Sequence, residues 1–146
     1  MNQKKEKKII GICNGFQILI ESGLLPGALL NNENIKFLSK TVSLDVINDS
    51  SGFTHLMEKN ETLLMPIAHR QGNFFANKEL VDHLESNDQI AFKYKYDNPN
   101  GSVSDIAGVL NSEKNVLGMM PHPERASDQI LGSKNGYKIF QSMMES

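Results

Sequence analysis

The sequence has no tryptophan, a single cysteine and no long apolar run, and each of these gaps excludes something. One cysteine cannot close an internal disulfide, so nothing in the covalent framework asks for an oxidising compartment and a cytoplasmic location is expected. No run approaches the roughly 20 apolar residues that span a bilayer. The charged start is followed by an apolar stretch, but Asn14 and Gln17 interrupt it and no small-residue cleavage site follows, so no export signal is expected. Charge of one sign is also lacking. The net charge is −2, and the one lysine cluster, at 4–8, is broken by Glu6, which argues against nucleic acid or an anionic membrane as a partner. No His/Cys/Asp/Glu set has ligand spacing, so no metal is expected. Repeats and low-complexity segments are missing too.

What remains is an ordinary globular composition, 39% hydrophobic and 22% charged over 146 residues, which fits one domain behind a charged leader at 1–7. Residues 7–13 predict a short buried strand through Ile9, Ile10 and Ile12, and Asn14-Gly15 breaks it before helical spacing resumes at 16–22, capped at Gly23. Strands are expected within 35–47, at 62–68 and at 89–96, and a helix at 77–86 starts on Asn77. The turn signal at 97–102 precedes a hairpin formed by 106–110 and 116–120. An amphipathic helix at 133–145 would dock through Tyr137, Phe140, Met143 and Met144.

Cys13 stands where the first strand meets the first helix. A thiol there gains from the backbone N–H groups and positive dipole end of the helix, which favour the thiolate. Gly11 and Gly15 flank it, giving Gly-x-Cys-x-Gly, the cysteine counterpart of a hydrolase elbow that would crowd larger neighbours. The N–H of Asn14 would then face a developing oxyanion. A small buried core cysteine accounts for the spacing equally well.

A nucleophilic cysteine needs a base, and four histidines compete. His83 falls on a polar helix, and His55 lies in a polar stretch with no evident partner. His122 sits in Pro121-His122-Pro123-Glu124, where two prolines keep the backbone extended and Glu124 can hold one ring nitrogen while the other faces a thiol. The alternative is a proline-rich surface turn with an incidental histidine. His69 is a candidate for the rim of the same site, or a surface residue at the end of a strand.

Taken together, Gly11-Ile12-Cys13-Asn14-Gly15-Phe16-Gln17 and Pro121-His122-Pro123-Glu124 resemble the nucleophile and His/Glu motifs of triad-type glutamine amidotransferases. The stretches Gly23-Leu24-Leu25-Pro26-Gly27-Ala28-Leu29, Pro66-Ile67-Ala68-His69, Asn98-Pro99-Asn100-Gly101-Ser102 and Asn115-Val116-Leu117-Gly118-Met119-Met120 are similar to the glutaminase-subunit family of phosphoribosylformylglycinamidine synthase, an enzyme of purine biosynthesis. The resemblance implies an α/β, flavodoxin-like fold whose mostly parallel sheet is flanked by helices. It implies Cys13 as nucleophile, His122 and Glu124 as its activating pair, and Gln17, His69, Arg70 and Gln71 as residues that hold L-glutamine. It further implies ammonia delivery to a large synthetase subunit, with a small accessory subunit beside it. No cofactor is expected in this chain, since ATP and Mg would serve the synthetase.

The resemblance begins near Lys8. In the family about the first third of the domain precedes the nucleophile strand and supplies core strands and a Gly-Gly oxyanion loop, so an N-terminally truncated domain is expected here. That expectation carries an alternative function, a catalytically silent subunit that only binds the synthetase. It also predicts an unpaired edge at the first strand and aggregation or dimerisation of the isolated chain.

Overall fold

The computed structural model describes residues 7–34, 36–126 and 135–146. The β-branched run after Lys8 forms strand β1 (Ile9–Ile12), and helix α1 (Asn14–Glu21) starts only two residues later. The chain then runs through β2 (Ala28–Leu30), β3 (Leu38–Val46), β4 (Thr62–His69), β5 (Asn73–Phe75), α2 (Lys78–Ser86), β6 (Ile90–Lys95), β7 (Ile106–Leu110), β8 (Val116–Met119) and α3 (Tyr137–Met144). Of the charged leader only Lys7 is described, and it is exposed.

Six strands form one sheet in the order β1-β8-β7-β6-β3-β4, and β2 pairs with β5 in a separate two-stranded ribbon. Within the six-stranded sheet only β1 and β8 run parallel; the other neighbouring pairs are antiparallel. The α/β class holds, but the mostly parallel sheet is corrected for the described strands. For β7 and β8 the short connection is the reason, because a strand that returns through a tight turn must run antiparallel.

Two apolar clusters lie about this sheet. One gathers Phe16 and Leu19 of α1, Val81 and Leu84 of α2, and Ile90, Ile106, Val109 and Val116 of the strands. The other joins Leu44, Leu63, Met65, Phe92, Leu117 and Met119 to Ile139 of α3. β7 and β8 contribute to both and are buried along their whole length. Phe16 stacks on Phe74 with ring centroids 5.9 Å apart, which fastens α1 to the β2/β5 ribbon. Burying a phenylalanine completely, as Phe16 is, contributes roughly 1.5–3 kcal/mol.

The expected caps hold: Asn77 accepts the Leu80 N–H at 2.9 Å, and α1 ends before Gly23 at φ 81°. The face of α3 is corrected in part: Met143 packs against the core beside buried Ile139 and Ser142, as expected of it, while Tyr137 and Met144 are exposed. The start of the predicted helix, 133–134, lies outside the described residues. β2 and β5 escape the sequence reading because three residues are too few to display alternation. β1 is the sheet edge among the described strands, and Ile9 on it is 45% exposed.

The two glycines around Cys13 are not equivalent. A Cβ on Gly11 would lie 2.4 Å from Leu19 Cδ1 and 2.6 Å from the Gly15 carbonyl oxygen, whereas a Cβ on Gly15 would meet nothing within 4 Å. The expected crowding at Gly15 is therefore corrected: its Cα points outward from the second position of the helix. Gly11→Ala should cost about 1–3 kcal/mol through overpacking against backbone, and Gly15→Ala should be neutral or slightly stabilising because alanine favours helix. Urea unfolding of the two variants checks this, and equal losses would contradict it.

Candidate active site

Parallel strands end on the same side, so the β1·β8 pairing, which sets Ile12 beside Met119, carries the residues after both strands to one place. Cys13 N–H donates to the Met119 carbonyl at 2.8 Å. Directly after Cys13 the chain turns into α1, and Cys13 takes φ 55° and ψ −106°. A non-glycine residue held there stores about 1–3 kcal/mol of strain and is a mark of a functional turn. The Phe16 and Gln17 N–H groups fold back onto the Cys13 carbonyl at 3.0 and 3.3 Å.

Across from the elbow, His122 docks on β4, where its N–H donates to the Pro66 carbonyl at 2.9 Å. The expected extended backbone is corrected, because Pro123–Ala126 forms a 3-10 turn in which the Arg125 N–H returns to the His122 carbonyl at 3.1 Å. The ring is buried at 8% exposure. Its Nδ1 donates to Glu124 Oε2 at 3.0 Å, since a carboxylate can only accept. Nε2 is then left with its lone pair, and it has no hydrogen-bond partner among the described residues. A histidine oriented by a carboxylate, with the far nitrogen free to take a proton, is the arrangement a general base requires.

The thiol itself points to β4, donating to the Ala68 carbonyl at 3.5 Å. Burial pushes the Cys13 pKa up; the Asn14 N–H and the Arg125 guanidinium pull it down, and Glu124 pushes it up again. The expected thiolate-favouring junction is thus corrected: the Asn14 N–H and Arg125 do not offset the loss of water around the sulfur. Ionisation of Cys13 needs a proton acceptor.

A cleft of about 290 Å³ opens over the cysteine, lined by Cys13, Asn14 and Gln17 on one side and Ala68, His69, Arg70 and Gln71 on the other, with Phe37 and Met120 closing it. That volume falls at the small end of ligand sites. Gln17 donates to Glu21 through Nε2 at 2.9 Å, and its Oε1 is buried without a partner among the described residues. The cleft unites the expected substrate residues with Cys13 and Asn14, while His122 and Glu124 are not among its lining. Phe37 carries no sequence signal, since it looks like any other apolar residue beside a strand, and Met120 stands out in the sequence only as part of a motif, not as a site residue.

His69 lines the same cleft as Cys13, as expected, but at 4% exposure it is not a surface residue. Burial lowers its pKa to about 4; its own backbone hydrogen bond opposes this and His122 adds to it. The ring lies flat on the chain ahead of it, so close that a Cβ on Gly72 would stand 2.3 Å from Cε1. The other two histidines are structural. His55, expected to lack a partner, meets the Ser142 carbonyl of α3 through Nε2 at 2.8 Å, and exposed His83 pairs with Asn87.

The chain matches the family described as CobB/CobQ-like glutamine amidotransferase domain over residues 1–144. A structure of PurLQS from Thermotoga maritima contains a similar chain, 46% identical with a TM-score of 0.85 over 94% of this chain. This chain spans 61% of the length of that one. A putative GMP synthase protein from Thermoplasma acidophilum is 16% identical over 94% of this chain and 56% of its own, with a TM-score of 0.60. The glutaminase domain of Trypanosoma brucei CTPS with bound acivicin is 12% identical over 95% and 61%, with a TM-score of 0.57. These last two share the fold.

Two pH dependences follow. Alkylation of Cys13 by iodoacetamide should keep accelerating above pH 9.0, the ordinary thiol value, because the raised pKa keeps the thiol protonated below it; a plateau near pH 7 would contradict the burial argument. His69 is neutral when folded and its unfolded value is 6.5. Its contribution is therefore complete above pH 6.5 and lost as pH falls towards 4, a change of roughly 3 kcal/mol. Urea midpoints across that window should fall more steeply for the parent chain than for His69→Gln, and identical slopes would count against a buried neutral imidazole.

Proposed function

Because this chain belongs to the CobB/CobQ-like glutamine amidotransferase domain family, we propose that it works as a glutaminase, releasing ammonia from L-glutamine through Cys13, His122 and Glu124. The observation that carries this reading is the strained elbow: a cysteine at φ 55° between a strand and a helix, at the floor of a cleft that also holds Asn14 and Gln17. His122 Nε2 accepts the thiol proton, and the sulfur attacks the side-chain amide carbon of glutamine. The resulting oxyanion is met by the Asn14 N–H. His122 then gives its proton to the departing ammonia, leaving a glutamyl thioester. Water, deprotonated by the same imidazole, cleaves the thioester to glutamate and restores the thiol. Glu124 keeps His122 in the Nδ1–H tautomer and stabilises the imidazolium.

Gln17, Arg70 and Gln71 line the space where the substrate would sit, and the unpartnered Gln17 Oε1 offers an acceptor for an ammonium group. The purine-biosynthetic assignment rests on the 46% identity to the PurLQS chain together with the sequence motifs. On that reading the ammonia passes to a large synthetase subunit that consumes ATP, with a small accessory subunit in the same complex. A second reading, a silent subunit that binds the synthetase without turning over, draws support from the Cys13 thiol being held by the Ala68 carbonyl. Ammonia release from glutamine separates the two.

Cys13→Ser should abolish glutaminase activity while preserving the fold, because the hydroxyl is too weakly acidic for this elbow to activate. A diazoketone analogue of glutamine should label the parent chain at Cys13, its only thiol, and a label found elsewhere by mass spectrometry would overturn the site. His122→Ala should lower kcat by about 10²–10⁴-fold, and Glu124→Gln by less, since the glutamate orients and does not carry the proton. Equal losses would require the roles to be reassigned.

A further inference from the structure

Behind the cleft lies a set of buried polar side chains that the mechanism does not use. Asn32, His69, Asn100 and Ser102 are exposed by 4% or less and Tyr94 by 5%. They come from two loops, the end of β4 and β6, and the amide and imidazole donors and acceptors among them can be assigned. Asn32 Nδ2 donates to the carbonyls of Lys36 at 2.7 Å and His69 at 3.0 Å, so its Oδ1 is the acceptor. That oxygen receives the Gly72 N–H at 2.9 Å and faces His69 Nδ1 at 3.2 Å. Nδ1 therefore carries the ring proton, and Nε2 must accept.

The donor facing Nε2 is Asn100 Nδ2 at 3.4 Å, and the other proton of that amide goes to the Tyr94 hydroxyl oxygen at 3.0 Å. Asn100 Oδ1 in turn takes the Ser102 N–H at 3.2 Å and the Ser102 hydroxyl at 2.7 Å. Backbone bonds tie the same loops together: Asn32 N–H to the Arg70 carbonyl at 2.8 Å, and Glu33 N–H to the Asn100 carbonyl at 3.0 Å. A buried network of this kind rigidifies when fully satisfied and fails as a unit when one member is lost. Asn100 does not line the cleft, yet the segment it holds, Ala68 to Gln71, forms one wall of it.

We propose that Asn100 is a positioning residue for glutamine: acting through the Nδ1–H tautomer of His69, it fixes the neighbouring backbone so that Arg70 and Gln71 meet the substrate in one geometry. The proposal rests on the glutaminase reading and deepens it. Asn100→Asp is the direct test, because it keeps the volume and the acceptor to Ser102 but turns a lone pair towards His69 Nε2 and removes the donor to Tyr94. Tyr94→Phe loosens the same amide without introducing a charge.

The readout is labelling of Cys13 in the full chain by the diazoketone glutamine analogue, with iodoacetamide as a small electrophile that does not need the pocket. In Asn100→Asp the half-saturating analogue concentration should rise by about tenfold or more while the rate at saturation and the iodoacetamide rate stay within about threefold, as expected for lost ground-state binding. Tyr94→Phe should shift half-saturation in the same direction by less. It decides the matter if circular dichroism finds Asn100→Asp unfolded. Unchanged half-saturation in a folded variant would overturn the proposal alone, and so would iodoacetamide and analogue rates that fall together, since the elbow itself would then have moved. Labelling of the parent chain that neither saturates nor is protected by L-glutamine would sink the glutaminase reading and the proposal with it.

Discussion

The parallel pairing of β1 with β8 is the constraint on which the site depends. Its register sets Ile12 against Met119, so the cysteine that follows one strand and the histidine that follows the other arrive at the same end of the sheet, although more than a hundred residues separate them in sequence. A shift of one residue would turn every side chain of β1 to the opposite face and move the elbow away from β8. Apolar burial on both faces of β8 resists such a shift. The Cys13 N–H bond to Met119 then continues the ladder one residue past the strand.

From that placement the chemistry follows by opposition of local effects. The elbow offers the sulfur an N–H and the start of a helix, while the surrounding protein removes water from it, and burial is the larger effect. The thiol rests against the Ala68 carbonyl, and in the proposed mechanism its proton passes to the imidazole that Glu124 holds. The wall opposite the thiol is equally determined, by buried amides that admit His69 in only one tautomer. Both imidazoles carry their proton on Nδ1, but among the described residues His122 leaves Nε2 without a partner, and His69 has it occupied.

Much of this could be read from the residues. The strand, elbow and helix around Cys13, the hairpin of β7 and β8 and the capped helix at Asn77 all carry local signals, because alternation, turn chemistry and capping act within a few residues. Sheet direction was legible only in part, since it depends on which strands become neighbours, and β6 pairs with β3 although β4, β5 and α2 lie between them in sequence. Asn98-Pro99-Asn100-Gly101-Ser102 announced a turn, yet nothing local indicates that Asn100 turns inward to meet His69. The raised thiol pKa was hidden for the same reason, as desolvation is set by every element packed around the sulfur. Gly15 looked like part of a crowded elbow because spacing cannot reveal which way a Cβ would point.

The account stands on a covalent step at Cys13 that begins with glutamine itself. Acid-quenched mass spectrometry of the chain mixed with L-glutamine tests that step most directly. A mass gain of one glutamyl group on the peptide that contains Cys13, cleared on incubation before the quench and missing after Cys13→Ser, is the predicted result. A cysteine peptide that remains unmodified while glutamine is hydrolysed, or a glutamyl group attached anywhere else, would contradict the account.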